Sequence, residues 1–227
     1  MKKVVVFTGA GVSAESGLKT FRDNGGLWEE ADINEVATPE GWKKNPARVL
    51  DFYNLRRKQV LEAKPNGAHY ALAELQRIFD VHIITQNIDN LHERSGSEKV
   101  LHLHGEVTKS QSTLDPSLVY DIPDWRLDMG EKCAKGSQLR PHVVWFGERV
   151  PNMEQACRIA SGADIFIVIG TSLNVFPAAG LLDCASGAGI RYLVDPNAES
   201  LKQSGNLVII NENAVKGVVA LVKKLLT

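Results

Sequence analysis

Short runs of β-branched and aromatic residues alternate along the chain with segments of helical period. Val4-Val5-Val6-Phe7, Val81-His82-Ile83-Ile84-Thr85, Asp164-Ile165-Phe166-Ile167-Val168-Ile169, Arg191-Tyr192-Leu193-Val194-Asp195 and Leu207-Val208-Ile209-Ile210 read as strands. Most are apolar at consecutive positions, the pattern of strands covered on both faces. Val100-Leu101-His102-Leu103-His104-Gly105 alternates instead, which places Leu101 and Leu103 on one side and His102 and His104 on the other. Between these runs, Thr38 with Pro39 starts a helix as cap and first-turn proline, and Asn45-Pro46 starts another that runs to about Ala63. The apolar stripe of that second helix is expected at Val49, Phe52, Leu55, Gln59 and Val60. Asn66 or Gly67 opens a helix through Ala68, Leu72, Leu75 and Ile78; further helices are expected over Asn152–Ala160 and Pro177–Ala185. The last helix buries Val215, Val218, Val219, Val222 and Leu225 and leaves Lys216, Lys223 and Lys224 outside. Thr108 to Gly136 has little period and reads as an inserted module, after which Leu139–Glu148 is expected to return toward the sheet. The whole predicts an α/β fold, a parallel sheet with helices on both faces plus a small inserted domain.

Composition narrows this picture modestly. The 227 residues suit one domain, or one large domain with a small insertion, and 44% hydrophobic residues suffice for a good core. A formal net charge of -1 supplies no general attraction to nucleic acid or to an anionic membrane. No apolar run is long enough to span a bilayer, and the chain opens directly on a core strand, which predicts no leader peptide. Cys133, Cys157 and Cys184 are scattered and odd in number, which predicts reduced thiols and a cytoplasmic setting. The pattern assigns no oligomeric state.

The first strand runs straight into Gly9-Ala10-Gly11, with Ala14 three residues on. This fits the dinucleotide fingerprint in the form that takes Ala at the third position, where glycines permit a tight turn and close approach to a pyrophosphate. A helix expected near Ser13 would aim free N–H groups at the phosphates. The usual sequel is missing, because Lys19 to Trp28 is polar and Gly-rich where a second strand ending in a ribose-binding acid belongs, and Glu29 and Glu30 do not end a strand. That stretch reads as a loop able to fold over a ligand. Three more strand ends carry small or polar residues: Gln86-Asn87-Ile88-Asp89, Gly170-Thr171-Ser172 and Pro196-Asn197. In an open α/β sheet such ends converge on one crevice.

Taken in order, Gly9-Ala10-Gly11-Val12-Ser13, Ser16-Gly17, Phe21-Arg22, Thr85-Gln86-Asn87-Ile88-Asp89, Leu91-His92, Leu103-His104-Gly105, Leu139-Arg140-Pro141, Val143-Val144, Phe146-Gly147-Glu148 and Gly170-Thr171-Ser172-Leu173 resemble the motifs of sirtuins, NAD-dependent protein-lysine deacylases. The resemblance covers Gly9 to about Asn197. It implies a Rossmann-like NAD-binding domain of residues 1–27, 66–107 and 138–227, and a small domain of residues 28–65 and 108–137. Gly9, Ala10, Gly11, Ser13, Phe21, Arg22, Gln86, Asn87, Ile88, Asp89, Gly170, Thr171, Ser172 and Asn197 would bind NAD. Asn87 and Asp89 would orient the nicotinamide and its ribose, and His104, directly before Gly105, would be the general base. Spacing alone does not choose between His102 and His104; His82 reads as a core or edge residue, and His69, His92 and His142 as structural or exposed. Val144, Phe146 and Gly147 would receive an acyl-lysine protein or peptide at a strand edge. The implied products are nicotinamide, free lysine and O-acyl-ADP-ribose.

Two features depart from the commonest family pattern. Most sirtuins carry two Cys-x-x-Cys pairs after the His-Gly motif, whereas this segment holds Cys133 alone, so no zinc is expected and Leu118, Tyr120, Ile122, Trp125 and Leu127 are expected to hold the module together. Ala37, in an Ala-Thr-Pro context, and the Tyr53-x-x-Arg56 pair are similar to class III sirtuins, in which such a pair recognises the distal carboxylate of a succinyl, malonyl or glutaryl group. A solvated basic helix face is the plainer reading, since Arg57 and Lys58 follow. A plain deacetylase, an ADP-ribosyltransferase and a non-catalytic NAD or ADP-ribose sensor remain alternatives.

Overall fold

The structure, a computed structural model, describes residues 1–19, 32–171, 180–198 and 205–227. A six-stranded parallel sheet forms its centre, in the order β3-β2-β1-β7-β8-β9. These strands are β1 (Lys3–Thr8), β2 (Asp80–Thr85), β3 (Val100–His102), β7 (Ile165–Ile169), β8 (Ile190–Val194) and β9 (Leu207–Ile210). A second, antiparallel sheet has the order β5-β4-β6, from β4 (Gly105–Ser112), β5 (Val119–Asp121) and β6 (Leu139–Val143). The helices are α1 (Gly11–Ala14), α2 (Ile33–Val36), α3 (Pro39–Lys44), α4 (Pro46–Glu62), α5 (Gly67–Glu74), α6 (Leu91–Arg94), α7 (Met153–Ser161), α8 (Leu181–Cys184) and α9 (Ala214–Leu226).

The unbroken apolar runs are explained by two cores, one on each face of the main sheet. Along β1, Val4 and Val6 enter one core while Val5 and Phe7 enter the other; along β7, Ile165, Ile167 and Ile169 oppose Phe166 and Val168. Residues two apart share a face, so a strand covered on both sides must be apolar throughout. The first core is closed by α5 and α9 and the second by α7 and α8. Strands β1, β2 and β7 end level, with Thr8 beside Thr85 and Ile169. The chain moves outward from β1 through β2 to β3, then returns to β7 on the other side. The loops after β1, β2 and β7 therefore meet where the strand order reverses, the position at which such sheets bind ligands.

Local capping follows the residue types. Thr38 Oγ1 accepts from the Gly41 N–H at the start of α3, and Asn45 Oδ1 accepts from the Arg48 N–H at the start of α4. Asn66 caps α5 together with His69, whose Nδ1 accepts from the Asn66 N–H at 3.2 Å.

Several expectations are corrected. Leu139–Val143 does not rejoin the parallel sheet; it pairs antiparallel with β4, and Thr108–Ser112 belongs to β4, whose pairing with β6 shifts register between Gly105 and Ser110. On α4, Leu55 is 60% exposed while Arg56 and Arg57 turn inward. That helix touches two clusters at once, Val49, Tyr53 and Val60 in one and Leu50 in the other, so its buried face is wider than one apolar stripe. Val219 of α9 is also exposed, at 43%, and Gly217 occupies the inner face instead, where a Cβ would lie 2.5 Å from Val194. Cys157 of α7 and Cys184 of α8 form a disulfide, their Cα atoms 5.5 Å apart. Two thiols 27 residues apart meet because their helices pack side by side on one face, which spacing does not reveal. The argument from reduced thiols to a cytoplasmic setting loses its basis. Among the described residues no helix is long and apolar enough to cross a membrane.

The inserted module has its own small core. Leu127, Cys133 and Leu139 pack with Leu50, and Leu118, Tyr120 and Ile122 lie against them. Trp125, expected in this cluster, stands apart with Lys58 and Arg126 over its ring. The module is tied to α4 by Arg57, fully buried, whose Nε donates to the Val107 carbonyl at 2.6 Å and whose Nη1 donates to Asn54 Oδ1 and the Trp125 carbonyl. Burial pulls the Arg57 pKa down to about 10, which still leaves it charged at neutral pH.

Candidate active site

One cavity at the C-terminal edge of β1 and β2 is lined by Ala10, Ser13, Leu18, Lys19, Arg56, Val60, Asn87, Ile88 and Asp89. Leu18, Lys19 and Val60 are not among the site residues expected from the sequence. Leu18 and Lys19 directly follow the glycine motif, and Val60 lies one helical turn after Arg56, so proximity was the available signal.

The glycine turn is built by packing between loops. The Gly9 N–H donates to the Ile169 carbonyl and the Gly11 N–H to the Gly170 carbonyl. A Cβ on Gly9 would lie 2.7 Å from the Gly170 oxygen, and one on Gly11 would lie 2.6 Å from the Gly170 Cα. Gly170 itself has φ +59. These glycines are thus required by contact between the β1 and β7 loops. Helix α1 begins at Gly11, two residues before the expected start, and is a single turn. The Val12 and Ser13 N–H groups bond to Gly9 and Ala10 within that turn, so they are not free donors as the sequence reading expects. Gln86 adds a side-chain link across the sheet, donating from Nε2 to Thr171 Oγ1 at 3.0 Å. Asn197 is exposed beyond the end of β8, its N–H bonded to Asp195. Phe21, Arg22 and Ser172 lie outside the described residues.

The polar centre joins three of the expected residues. Ser13 Oγ donates to Asp89 Oδ2 at 3.0 Å, and Asn87 Nδ2 donates to Ser13 Oγ and to the Gly9 carbonyl, each at 3.2 Å. All three side chains are buried. Burial pushes the Asp89 carboxyl up, opposed by the Leu91 N–H, the Ser13 hydroxyl and the nearby His102 ring. The floor beneath is a hydroxyl chain: the Asn87 N–H donates to Thr85 Oγ1, Thr8 Oγ1 donates to Thr85 Oγ1 at 2.8 Å, and His92 Nε2 lies 3.1 Å from Thr8 Oγ1. A buried network of this kind rigidifies the loop it supports.

Geometry separates the two histidines that spacing leaves equivalent. His104 Nδ1 lies 3.0 Å from the Gln86 carbonyl, an acceptor, so Nδ1 carries the proton and Nε2 keeps its lone pair. Burial lowers the His104 pKa, which keeps the ring neutral at neutral pH. His102 has both nitrogens engaged, Nδ1 with the Asn87 carbonyl and Nε2 with Glu93 Oε1. Of the two, His104 has the ring nitrogen fit to take a proton. His69 and His92 are buried and structural, His82 is half-buried beside Asp80, and His142 is half-buried beside Gln111.

The strap after β6 closes one side. The Val144 N–H donates to the His104 carbonyl and the Phe146 N–H to the Ala37 carbonyl. Glu148 accepts from the Trp145 N–H and from Arg140, whose guanidinium lies 3.8 Å from the Trp145 ring centroid. The N–H groups of Val144, Trp145 and Phe146 are thus all bonded within the protein. The strap does not present a regular row of donors to a docking strand, unlike a free sheet edge. Phe146 is half exposed and Gly147 has φ +89.

On the helical side, Ala37 and Tyr53 are buried in one cluster with Ile88, Val143 and Trp145. Arg56 is 8% exposed and donates from Nη1 to Gln59 Oε1 at 2.8 Å. Burial pushes the Tyr53 hydroxyl well above its ordinary pKa, so it remains a donor. Arg56 therefore faces the cavity, and the solvated basic face is not where the helix places it.

These features have close counterparts. A sequence profile of the Sir2 family matches residues 9–177. A "NAD-dependent protein deacylase" of Helicobacter pylori (strain J99) is 52% identical over 228 residues, spanning 100% of this chain and 96% of the relative. Among solved structures, a Sir2 homologue in complex with ADP-ribose superposes with a TM-score of 0.88 at 38% identity, covering 98% of this chain and 91% of the other. A Sir2 homologue–NAD complex superposes with a TM-score of 0.87 at 39% identity, covering 100% and 91%. With this likeness running through the strand-end loops that build the cavity, the chain belongs to the Sir2 family.

Proposed function

We propose that this Sir2-family enzyme, an NAD-dependent protein deacylase, acts on acyl-lysine residues of proteins and prefers acyl groups that end in a carboxylate, succinyl, malonyl or glutaryl, over acetyl. The observation that carries the preference is Arg56, drawn into the cavity that Ser13, Asn87 and Asp89 also line. A guanidinium offers two parallel N–H donors that match a carboxylate, and it binds more strongly where water is excluded. Tyr53, one turn earlier on α4, adds a protonated hydroxyl, and Ala37 leaves room.

The cavity suits NAD, because its polar side chains converge at the strand-order reversal and the flanking loops are glycine-tight. NAD supplies an electrophilic ribose carbon with nicotinamide as its leaving group. Ser13, Asn87 and Asp89 would hold and orient that end, and Gly9, Ala10, Gly11, Gln86, Ile88, Gly170 and Thr171 would wall the remainder. His104 would accept a proton at Nε2 from a ribose hydroxyl, while Nδ1 stays bonded to Gln86. Val144, Phe146 and Gly147 would flank the entering acyl-lysine. The products would be nicotinamide, free lysine and O-acyl-ADP-ribose.

Matched succinyl-lysine and acetyl-lysine peptides, followed by mass with and without NAD, test the preference. In the Arg56→Met variant desuccinylation is expected to fall about a hundredfold, the worth of a lost charged hydrogen-bond pair, while deacetylation stays within a few-fold. Equal loss of both activities would remove Arg56 from acyl recognition. Faster loss of acetyl by the unaltered enzyme would make it a plain deacetylase.

We infer further that the small module needs no zinc. Its one thiol, Cys133, packs among Leu50, Leu127 and Leu139 with Sγ 3.2 Å from Ser137 Oγ, and one thiolate is too few ligands for a structural site. Arg57, through the Trp125 carbonyl, and Asn54, through the Leu127 backbone, tie module to helix. Elemental analysis of the purified protein is expected to find far less than one zinc per chain; one equivalent would overturn this.

A further inference from the structure

The His102 ring touches two groups that only accept. Nδ1 is 3.0 Å from the Asn87 carbonyl oxygen and Nε2 is 2.8 Å from Glu93 Oε1. A neutral imidazole has one N–H and satisfies one such partner; both are satisfied together by the doubly protonated ring. The ring is 8% exposed, so the unmatched contact of a neutral ring would set a lone pair against an oxygen with little water to intervene. We propose that His102 is a positioning residue that works as an imidazolium, clamped by Glu93, to hold the Asn87 carbonyl and with it the loop that presents Asn87 and Asp89 to the cavity. This rests on the assignment of Asn87 and Asp89 to NAD.

The surroundings suit a positive ring. Glu93 stands on α6, Asp89 on the loop before it, and Glu106 on β4; each favours the charge. His92 on α6 and His142 on β6 also face it, and burial lowers the pKa of both, so both are neutral at neutral pH. Burial works against the charge on His102, and the hydrogen bond and charge of Glu93 with the Asn87 carbonyl outweigh it, so the pKa is raised. The reverse holds at Glu93, where the His102 ring outweighs burial and lowers the pKa. Asn152 Nδ2 donates to the His102 carbonyl and fixes the backbone beside the ring.

Two histidines two residues apart would then take opposite states in the working enzyme, His104 neutral to accept a proton and His102 charged to hold the loop. Activity fails below the His104 pKa because the base is occupied. It also fails as pH rises through the His102 pKa, because the clamp loses one of its two bonds. The effect of losing the clamp falls on NAD binding, since it loosens the loop without removing any group that reacts.

The test is the pH profile of kcat/KM for NAD in the unaltered enzyme, Glu93→Gln and His102→Gln, with nitrogen-15 NMR of the imidazole rings. In the unaltered enzyme both His102 nitrogens are expected to be protonated at pH 7, with His104 neutral. Glu93→Gln keeps an acceptor but removes the counter-charge, so the alkaline limb is expected to move down by about one pH unit while the acid limb stays. His102→Gln is expected to remove that limb and raise KM for NAD about tenfold, with a smaller change in kcat. A neutral His102 ring at pH 7, or an alkaline limb unmoved in Glu93→Gln, overturns the proposal; the NMR on the unaltered chain decides even if His102→Gln fails to fold. Absence of NAD-dependent deacylation by the unaltered enzyme at every pH would instead overturn the functional reading and leave the ring's charge to the spectrum.

Discussion

Changing His104 to glutamine is expected to lower the rate of acyl removal about a thousandfold, within the range a positioned general base contributes. Among the described residues the hydrogen bond of its side chain is the one from Nδ1 to the Gln86 carbonyl, so little of the described structure depends on it. The Val144 N–H bonds to the backbone oxygen of residue 104 and is unaffected. NAD affinity should therefore stay within a few-fold, separating this variant from those that disturb the loops. The pH dependence has a defined sign. Burial lowers the His104 pKa, so the base is free above that value and activity is lost as pH falls through it. That acid limb should lie below about 6.5, the ordinary histidine value. Single-turnover rates between pH 5 and 9, measured by peptide mass, would show it; a variant within tenfold of the parent would place the base elsewhere.

Gly105→Ala is expected to damage both stability and activity. Gly105 has φ +79, and a Cβ there would lie 2.1 Å from the His142 carbonyl oxygen, backbone that cannot swing aside. Gly105 pairs with Val143 where β4 begins, so relief of the clash must push β6 away or displace His104 next door. The clash and the unfavourable φ together should cost about 4 kcal/mol. For a chain of this size that is a fall in Tm of about 10 °C. Gly136 is the control, since it has the same φ of +79 but, among the described residues, nothing within 4 Å of an added Cβ. Gly136→Ala should cost about 1 kcal/mol, the conformational part alone. Equal melting temperatures for the two variants would remove the contact with β6 as the reason for this glycine.

Much of the site was legible because it sits on strand ends. A strand covered on both faces is apolar at every position, so where the run stops the sheet stops, and polar residues at that point are loop residues at its edge. Gly9 to Gly11, Gln86 to Asp89 and Gly170 to Thr171 stand at such points, and the level ends of β1, β2 and β7 bring them together. The reason for the glycines was less legible, because their close neighbours are Gly170 and Thr171, some 160 residues away in sequence. Ser13, Asn87 and Asp89 were each named, but their mutual hydrogen bonds follow from the position of α1 beside the β2 loop.

By itself the sequence determined the parallel sheet, its two covered faces, the capped starts of α3, α4 and α5, and the strand-end residues Ala10, Ser13, Asn87, Ile88 and Asp89 that line part of the cavity, because period, caps and strand ends are written in neighbouring residues. Tertiary structure alone decided how the two alternating histidines are bonded, since Gln86, Asn87 and Glu93 reach them from other elements. It also decided that Arg56 and Arg57 turn inward and Leu55 outward, because α4 packs between two cores whose other walls lie far along the chain. The Cys157–Cys184 bond and the transfer of Leu139–Val143 to the small sheet belong to the same class. In each case the free energy resides in a contact between distant segments, and no local pattern records which distant segment will be the neighbour.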